Sequence, residues 1–207
     1  MNTDASRPLR ADAARNAERI ARAARDVFTE QGPDAPLEEI ARRAGLGVAT
    51  LYRRFPDKAG LVRAALELSF ADHIGPLIEQ VRAADDPYRA LVTVIETSMH
   101  LAARDRHVLA AAHDVAALTA ETAAPYVTSL ATLVRRAQDA GRVRDDLVPE
   151  DLVRIMVMLV SVLSTMTPGS DGWRRYLALV LDSLAPPAAR PLPPVSPLPP
   201  GMPALTS

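Results

Sequence analysis

The sequence contains no cysteine, a single lysine (Lys58), little aromatic character (4%) and no long hydrophobic run. Without cysteine there are no disulfides, thiolate nucleophiles or Cys-based zinc sites, a composition that fits a reducing cytoplasm. The longest strictly apolar stretch, Ile155 to Val160, is far short of the roughly 20 residues needed to cross a bilayer. The opening residues carry charges where a secretory signal requires an apolar core. The reading is therefore a soluble, cytoplasmic chain without a membrane partner. At 207 residues it is long enough to bury a core without metal or disulfide staples.

What is present is alanine, arginine and helical periodicity. The net charge of −1 conceals an asymmetry: residues 1–63 hold 12 basic against 9 acidic side chains, a balance of +3, and residues 64–207 hold 12 against 16, a balance of −4. A basic amino end suits a polyanionic partner. Apolar residues recur at helical spacing nearly throughout, with no sustained period-two stretch, so the fold class is all-α. A first helix is expected from about Asp12 to Gln31, with Ile20, Ala24, Val27 and Phe28 on one stripe and Gly32-Pro33 as its stop. A second begins at Pro36 with Glu38 and Glu39 in its first turn and stops at Gly45. A third, Val48 to Phe55, is closed by Pro56. A fourth runs from about Asp57 to Ala84 and is expected to break near Gly75-Pro76. Further helices are expected at about 87–103, 105–116, 119–140, 149–167 and 172–185.

Helix, glycine turn, helix is the arrangement of a helix-turn-helix. In the third helix Val48, Leu51 and Phe55 share an inward face, leaving Ala49, Thr50, Tyr52, Arg53 and Arg54 outside. A small residue permits close approach, and hydroxyls and guanidinium groups supply donors to bases and phosphates. Spacing alone fits equally well a tight helical corner with a solvated basic edge.

The residues 15–66, RNAERIARAARDVFTEQGPDAPLEEIARRAGLGVATLYRRFPDKAGLVRAAL, resemble the DNA-binding domain of the TetR/AcrR family along their whole length. The resemblance is carried by Phe28-Thr29-Glu30-Gln31-Gly32, Ile40-Ala41, Ala44-Gly45-Leu46-Gly47, Thr50-Leu51-Tyr52 and Phe55-Pro56-Asp57-Lys58, with Leu61 following. It implies that Thr50, Tyr52 and Lys58 contact phosphates and that Ala49 and Arg53 face base edges. Two positions depart from the family pattern. Ala35-Pro36-Leu37 has no hydroxyl where relatives often open the second helix with Thr or Ser, and Arg54 stands where they often carry His. Arg54 either adds a phosphate contact or is merely solvated. Residues 67–207 resemble the family only loosely, through the runs from Arg104 to Leu118 and from Arg135 to Gly141 and through Pro149-Glu150-Asp151-Leu152.

The domains expected are a flexible arm over 1–11, a DNA-binding domain over 12–57, a helical ligand-binding and dimerisation domain over 58–185, and a proline-rich disordered tail over 186–207. Nine of the 23 residues from Ala185 onwards are proline. The segment Leu152 to Leu163 is apolar on nearly every face, and such a helix needs cover on all sides. A second copy of the chain would supply it, through Ile155, Leu159, Leu163, Trp173, Leu177 and Leu181. Met99, His100, His113 and Met156 are the candidates for contact with a small effector. Glu96 precedes His100 by one turn, yet no repeated Glu-x-x-His accompanies the pair, so neither metal nor cofactor is expected. No phosphate loop, nucleophile elbow or HExxH occurs. The expected function is a dimeric transcription repressor that binds a palindromic double-stranded DNA operator and is released by a small molecule. An activator would carry the same sequence features. An enzyme or small-molecule carrier with a corner resembling a DNA reader is the competing class, and turnover of a ligand without binding of any DNA would identify it.

Overall fold

The computed structural model describes residues 6–111, 128–186 and 190–196. Every regular element among them is helical. The order is α1 (Ser6–Gln31), α2 (Leu37–Arg43), α3 (Val48–Arg54), α4 (Lys58–Val81), α5 (Pro87–Arg104), α6 (Arg106–Ala110), α7 (described over 128–139), α8 (Pro149–Val162), a 3-10 turn (Leu163–Thr165) and α9 (Trp173–Ser183). No helix among the described residues is long and apolar enough to cross a membrane.

The chain forms two compact units. The first holds α1 to α3, α4 as far as Ser69, and the short α6. The second holds the rest of α4 from Phe70, α5, and the described residues from 128 onwards. The boundary thus falls inside α4 rather than at 57/58, and the chain returns to the first unit at Asp105.

In the first unit the predicted stripe of α1 is the core: Ile20, Ala24, Val27 and Phe28 are fully buried, joined by Ile40, Ala41, Leu51, Leu61 and Val62. Glycines stand in the turns after α1 and after α2, and the turn between α2 and α3 shows why. Gly45 has φ +65°, its N–H donates to Arg42 O (3.1 Å), and the N–H of Leu46 reaches back to Ala41 O (3.0 Å). These are the two bonds of a Schellman cap, which needs a residue free to adopt a left-handed conformation. Arg19 of α1 secures the same cap by donating to Ala44 O at 2.6 Å.

Helix α1 begins at Ser6 rather than near Asp12, so the segment expected as an arm is helical from residue 6. Pro8 is tolerated there because the first four N–H groups of a helix have no intrahelical partner to lose. Pro36 is the residue before α2, with φ −70° and an extended ψ of 141°, and not its first residue. Helix α4 runs unbroken through Pro76. The lost hydrogen bond and ring clash of an internal proline cost about 3 kcal/mol. Gly75 offers no Cβ to clash with that ring, and burial of Ile74 and Ile78 on either side, each contributing about 1.5–3 kcal/mol, offsets the loss.

In the second unit α5 packs on α8, and α8 on α9. The helix expected at 149–167 ends at Val162 and tightens into the 3-10 turn, and the one expected at 172–185 spans Trp173–Ser183. The helix expected at 105–116 appears as α6, and its remainder, like the start of the one expected at 119–140, lies outside the described residues. Residues 190–196 of the proline-rich tail, expected to be disordered, are placed against the second unit by hydrogen bonds to Arg144, Asp146 and Arg154. Proline content reports a preference for extended conformers, not whether a fold holds them.

Replacement of Gly45 by alanine puts a Cβ at a left-handed position and 2.9 Å from Arg19 Nη2. The expected loss is about 1–2 kcal/mol of stability, read as a lower denaturant midpoint at unchanged slope.

Candidate nucleic-acid interface

Helix α3 is set by its ends. Gly47 opens it with φ −69° and ψ 144°, its carbonyl accepting from the N–H groups of Thr50 (2.9 Å) and Leu51 (3.2 Å). Phe55 closes it, donating its N–H to Leu51 O at 2.7 Å and leaving the helical region at φ −128°, as a residue preceding proline must. Asp57 then caps α4, its carboxylate accepting the Gly60 N–H at 2.7 Å.

Leu51 is fully buried and Phe55 half-buried, and Val48, expected inside, is also only half-buried. With Leu51 inward, the geometry of a helix places the rest. Ala49, Tyr52, Arg53 and Arg54 are exposed and Thr50 is half-buried; Tyr52 is 44% exposed. One short helix therefore presents a methyl group, two hydroxyls and two guanidinium groups on a single surface.

The arginines of the neighbouring helix are used differently. Arg42 makes a bidentate pair with Glu39 (2.7 and 2.6 Å), and Arg43 reaches across to Glu30 of α1 (2.6 Å). The hydrogen bond from Arg43 holds the Glu30 carboxyl below its ordinary range, and that from Arg42 does the same for Glu39. By contrast Arg53 and Arg54 make no ion pair among the described residues; Arg54 only lies near the Phe55 ring, 6.0 Å from its centroid. Cations already neutralised in the fold have little to offer a phosphate. Those of α3, with no ion pair among the described residues, have donors to offer.

Lys58 is half-buried at the start of α4. Its ammonium donates to the carbonyl of Pro33 and sits 5.7 Å from the centroid of the Phe28 ring. The side chain thus ties α4 to the turn after α1, a tie that spacing along the sequence did not reveal. An ammonium carries three donors, so one carbonyl leaves two unspent.

The other expected site residues are in the second unit or outside the described residues. Met99 is fully buried in the core. His100 is exposed, its ring edge-on to Trp173 with centroids 4.8 Å apart, and its Nε2 is 2.7 Å from Arg174 Nη2. Met156 is half-buried, and His113 lies outside the described residues. One space in this unit, about 280 Å³, is lined by Ile78, Arg82, Thr128, Ser129, Thr132 and Leu133. Among the described residues no group of acidic or histidine side chains is arranged to hold a metal ion.

Three of the residues expected at an interface between copies, Leu159, Trp173 and Leu177, are buried within their own chain, at 2%, 1% and 3% exposure. They have no surface to give a second chain. Ile155, Leu163 and Leu181 are half-buried, and the apolar side chains of α8 and α9 that do face outward are Met158, Tyr176 and Leu179.

Comparison with known proteins places this geometry. A family model described as bacterial regulatory proteins of the tetR family matches residues 20–65, and one described as the C-terminal domain of SbtR-like transcriptional regulators matches residues 86–186. An HTH-type transcriptional regulator of Mycobacterium tuberculosis is 28% identical over 180 residues, covering 81% of this chain and 86% of the relative. Among solved structures, a TetR transcription regulatory protein from Mycobacterium vanbaalenii is 32% identical, with 86% of this chain and 99% of that chain covered and a TM-score of 0.57. A TetR transcriptional regulator from Streptomyces coelicolor is 30% identical, with 83% and 99% covered and a TM-score of 0.59.

The carboxylates paired with Arg42 and Arg43 predict the direction of the acid response. Their folded values lie below the unfolded ones, so the stability they contribute is present above the usual glutamate value of roughly 4.3 and is lost as pH falls below it. Thermal unfolding followed between about pH 5 and 3 should show a falling midpoint. In the double variant Glu30→Gln, Glu39→Gln the fall over that window should be smaller.

Proposed function

The chain belongs to the TetR family of DNA-binding transcriptional regulators, and from that premise we propose that it is a homodimeric repressor, bound to a palindromic operator and released by a small effector. The observation that carries the proposal is the outward face of α3. Its Thr50 and Tyr52 hydroxyls, with Lys58 beside them, supply positioning contacts to phosphates; Ala49 permits close approach and Arg53 reads a base edge. Arg54, which makes no ion pair among the described residues, adds a phosphate contact. Two copies joined through α8 and α9 set two α3 helices into successive major grooves, with half-sites one or more helical turns apart.

The dimer face proposed is Met158, Tyr176 and Leu179, flanked by Ile155, Leu163 and Leu181. Large apolar side chains exposed together on adjacent helices mark an association surface more often than scattered single ones do. The effector is a small, largely apolar molecule held in the second unit. It shifts the regulator off DNA only by binding the released state more tightly than the bound one.

Direct binding to operator DNA at several salt concentrations tests this placement. Tyr52→Phe should weaken binding to all sequences alike. Lys58→Ala should do the same and lower the slope of log affinity against log salt by about one unit. The slope separates its two roles, because losing the tie to Pro33 alters stability without changing the number of ions released. Arg53→Ala should remove about 1–3 kcal/mol of discrimination at one base position per half-site. Ordinary affinity and slope in all three variants would contradict the proposal.

A further inference from the structure

The turn between α7 and α8 is tied to the chain that follows α9 by Arg144 and Asp146. Arg144 donates its backbone N–H to Leu184 O (2.9 Å), just past α9, and a guanidinium N–H to Arg190 O (2.8 Å), six residues further on. The same guanidinium chelates Asp146 at 2.5 and 2.9 Å. Asp146 in turn accepts the backbone N–H of Leu192 at 2.8 Å. Arg154, in the second turn of α8, donates to Ser196 O at 2.5 Å. The contacts to Arg190, Leu192 and Ser196 all grip the main chain, and the Leu192 and Val195 side chains stay exposed at 41% and 45%.

We propose that residues 190–196 are a built strap, which crosses from the α7–α8 turn to the second turn of α8 and fixes that turn and the start of α8 in place.

Composition favours such a role. Pro191, Pro193 and Pro194 leave few conformations to give up on docking, so immobilising this segment costs less than for an ordinary stretch of seven. They also remove three N–H donors that would otherwise require partners. The carbonyls at Arg190 and Ser196 and the N–H at Leu192 meet side chains of matching polarity, two cations and one anion, and hydrogen bonds to charged groups are the stronger kind. Beneath the strap a cleft of about 470 Å³ remains, lined by Asp146, Val148, Asp151 and Arg154 on the body and by 192–196 above. Polar attachments hold the strap at Arg190, Leu192 and Ser196, and these attachments are what its removal or mutation should disturb. The turn has further support from Gln138, whose side-chain N–H groups donate to Arg144 O and Leu147 O, both at 2.9 Å. The turn thus persists without the strap but loosens.

Hydrogen exchange on the full chain and on two shortened chains tests the proposal. In the full chain the Leu192 amide should exchange at least about tenfold more slowly than an unstructured amide, and Asp146→Ala should abolish that protection. Deletion of 197–207 should leave exchange across 143–154 unchanged, whereas deletion of 187–207 should speed it. Exchange of Leu192 at the unstructured rate in the full chain would overturn the proposal, whether or not the shortened chains fold. Identical exchange over 143–154 in both deletions would overturn it as well.

Discussion

A helix of seven residues is too short to hold itself together in water or to choose which way it faces. In α3 that choice is made by Leu51, which goes wholly into the core built on Ile20, Ala24, Val27 and Phe28. Once it is inward, period 3.6 sends Ala49, Tyr52, Arg53 and Arg54 outward. The turns on either side keep it there: Gly45 can adopt the left-handed cap that brings α2 to an end, and Phe55-Pro56 cannot continue α3. Leu51 is thus the point where folding and recognition meet. A polar residue in its place would release the orientation of the helix without altering one side chain of the proposed DNA face.

The arginines of the first unit divide their labour along the same line. Arg19 and Arg43 hold α2 and its cap to α1, and Arg42 closes on Glu39 within its own helix. These groups are occupied by the fold. Arg53 and Arg54 have no ion pair among the described residues. Lys58 stands between the two classes, tied to Pro33 and Phe28 yet with donors to spare. A net charge near zero says nothing of this, because what attracts a phosphate is the charge left over after the fold has taken its share.

The first unit was legible in the sequence because its signals are local. Glycine turns, a clean apolar stripe on α1 and a proline after α3 each act within a few residues, and the family resemblance covers the same stretch. The second unit hides its faces. Helix α8 is apolar nearly all round, so which of its residues go inward depends on where α5 and α9 lie. Leu159, Trp173 and Leu177, expected at a surface between copies, are buried by their own chain, while Met158, Tyr176 and Leu179 face out. Residues 190–196 were illegible for a related reason: their prolines are visible in the sequence, but the groups that anchor them, Arg144, Asp146 and Arg154, are some forty residues away and carry no mark of that role. Pro76 illustrates the reverse error, a local breaker overridden by the burial of Ile74 and Ile78 on both sides.

The account's central claim is that two outward α3 faces read DNA together. Selecting fragments that the full-length protein retains from a random duplex pool, then sequencing them, examines this most directly. The account predicts a two-fold symmetric consensus whose half-sites are separated by one or more helical turns. A retained pool with no shared sequence, or a consensus with no internal symmetry, would contradict it.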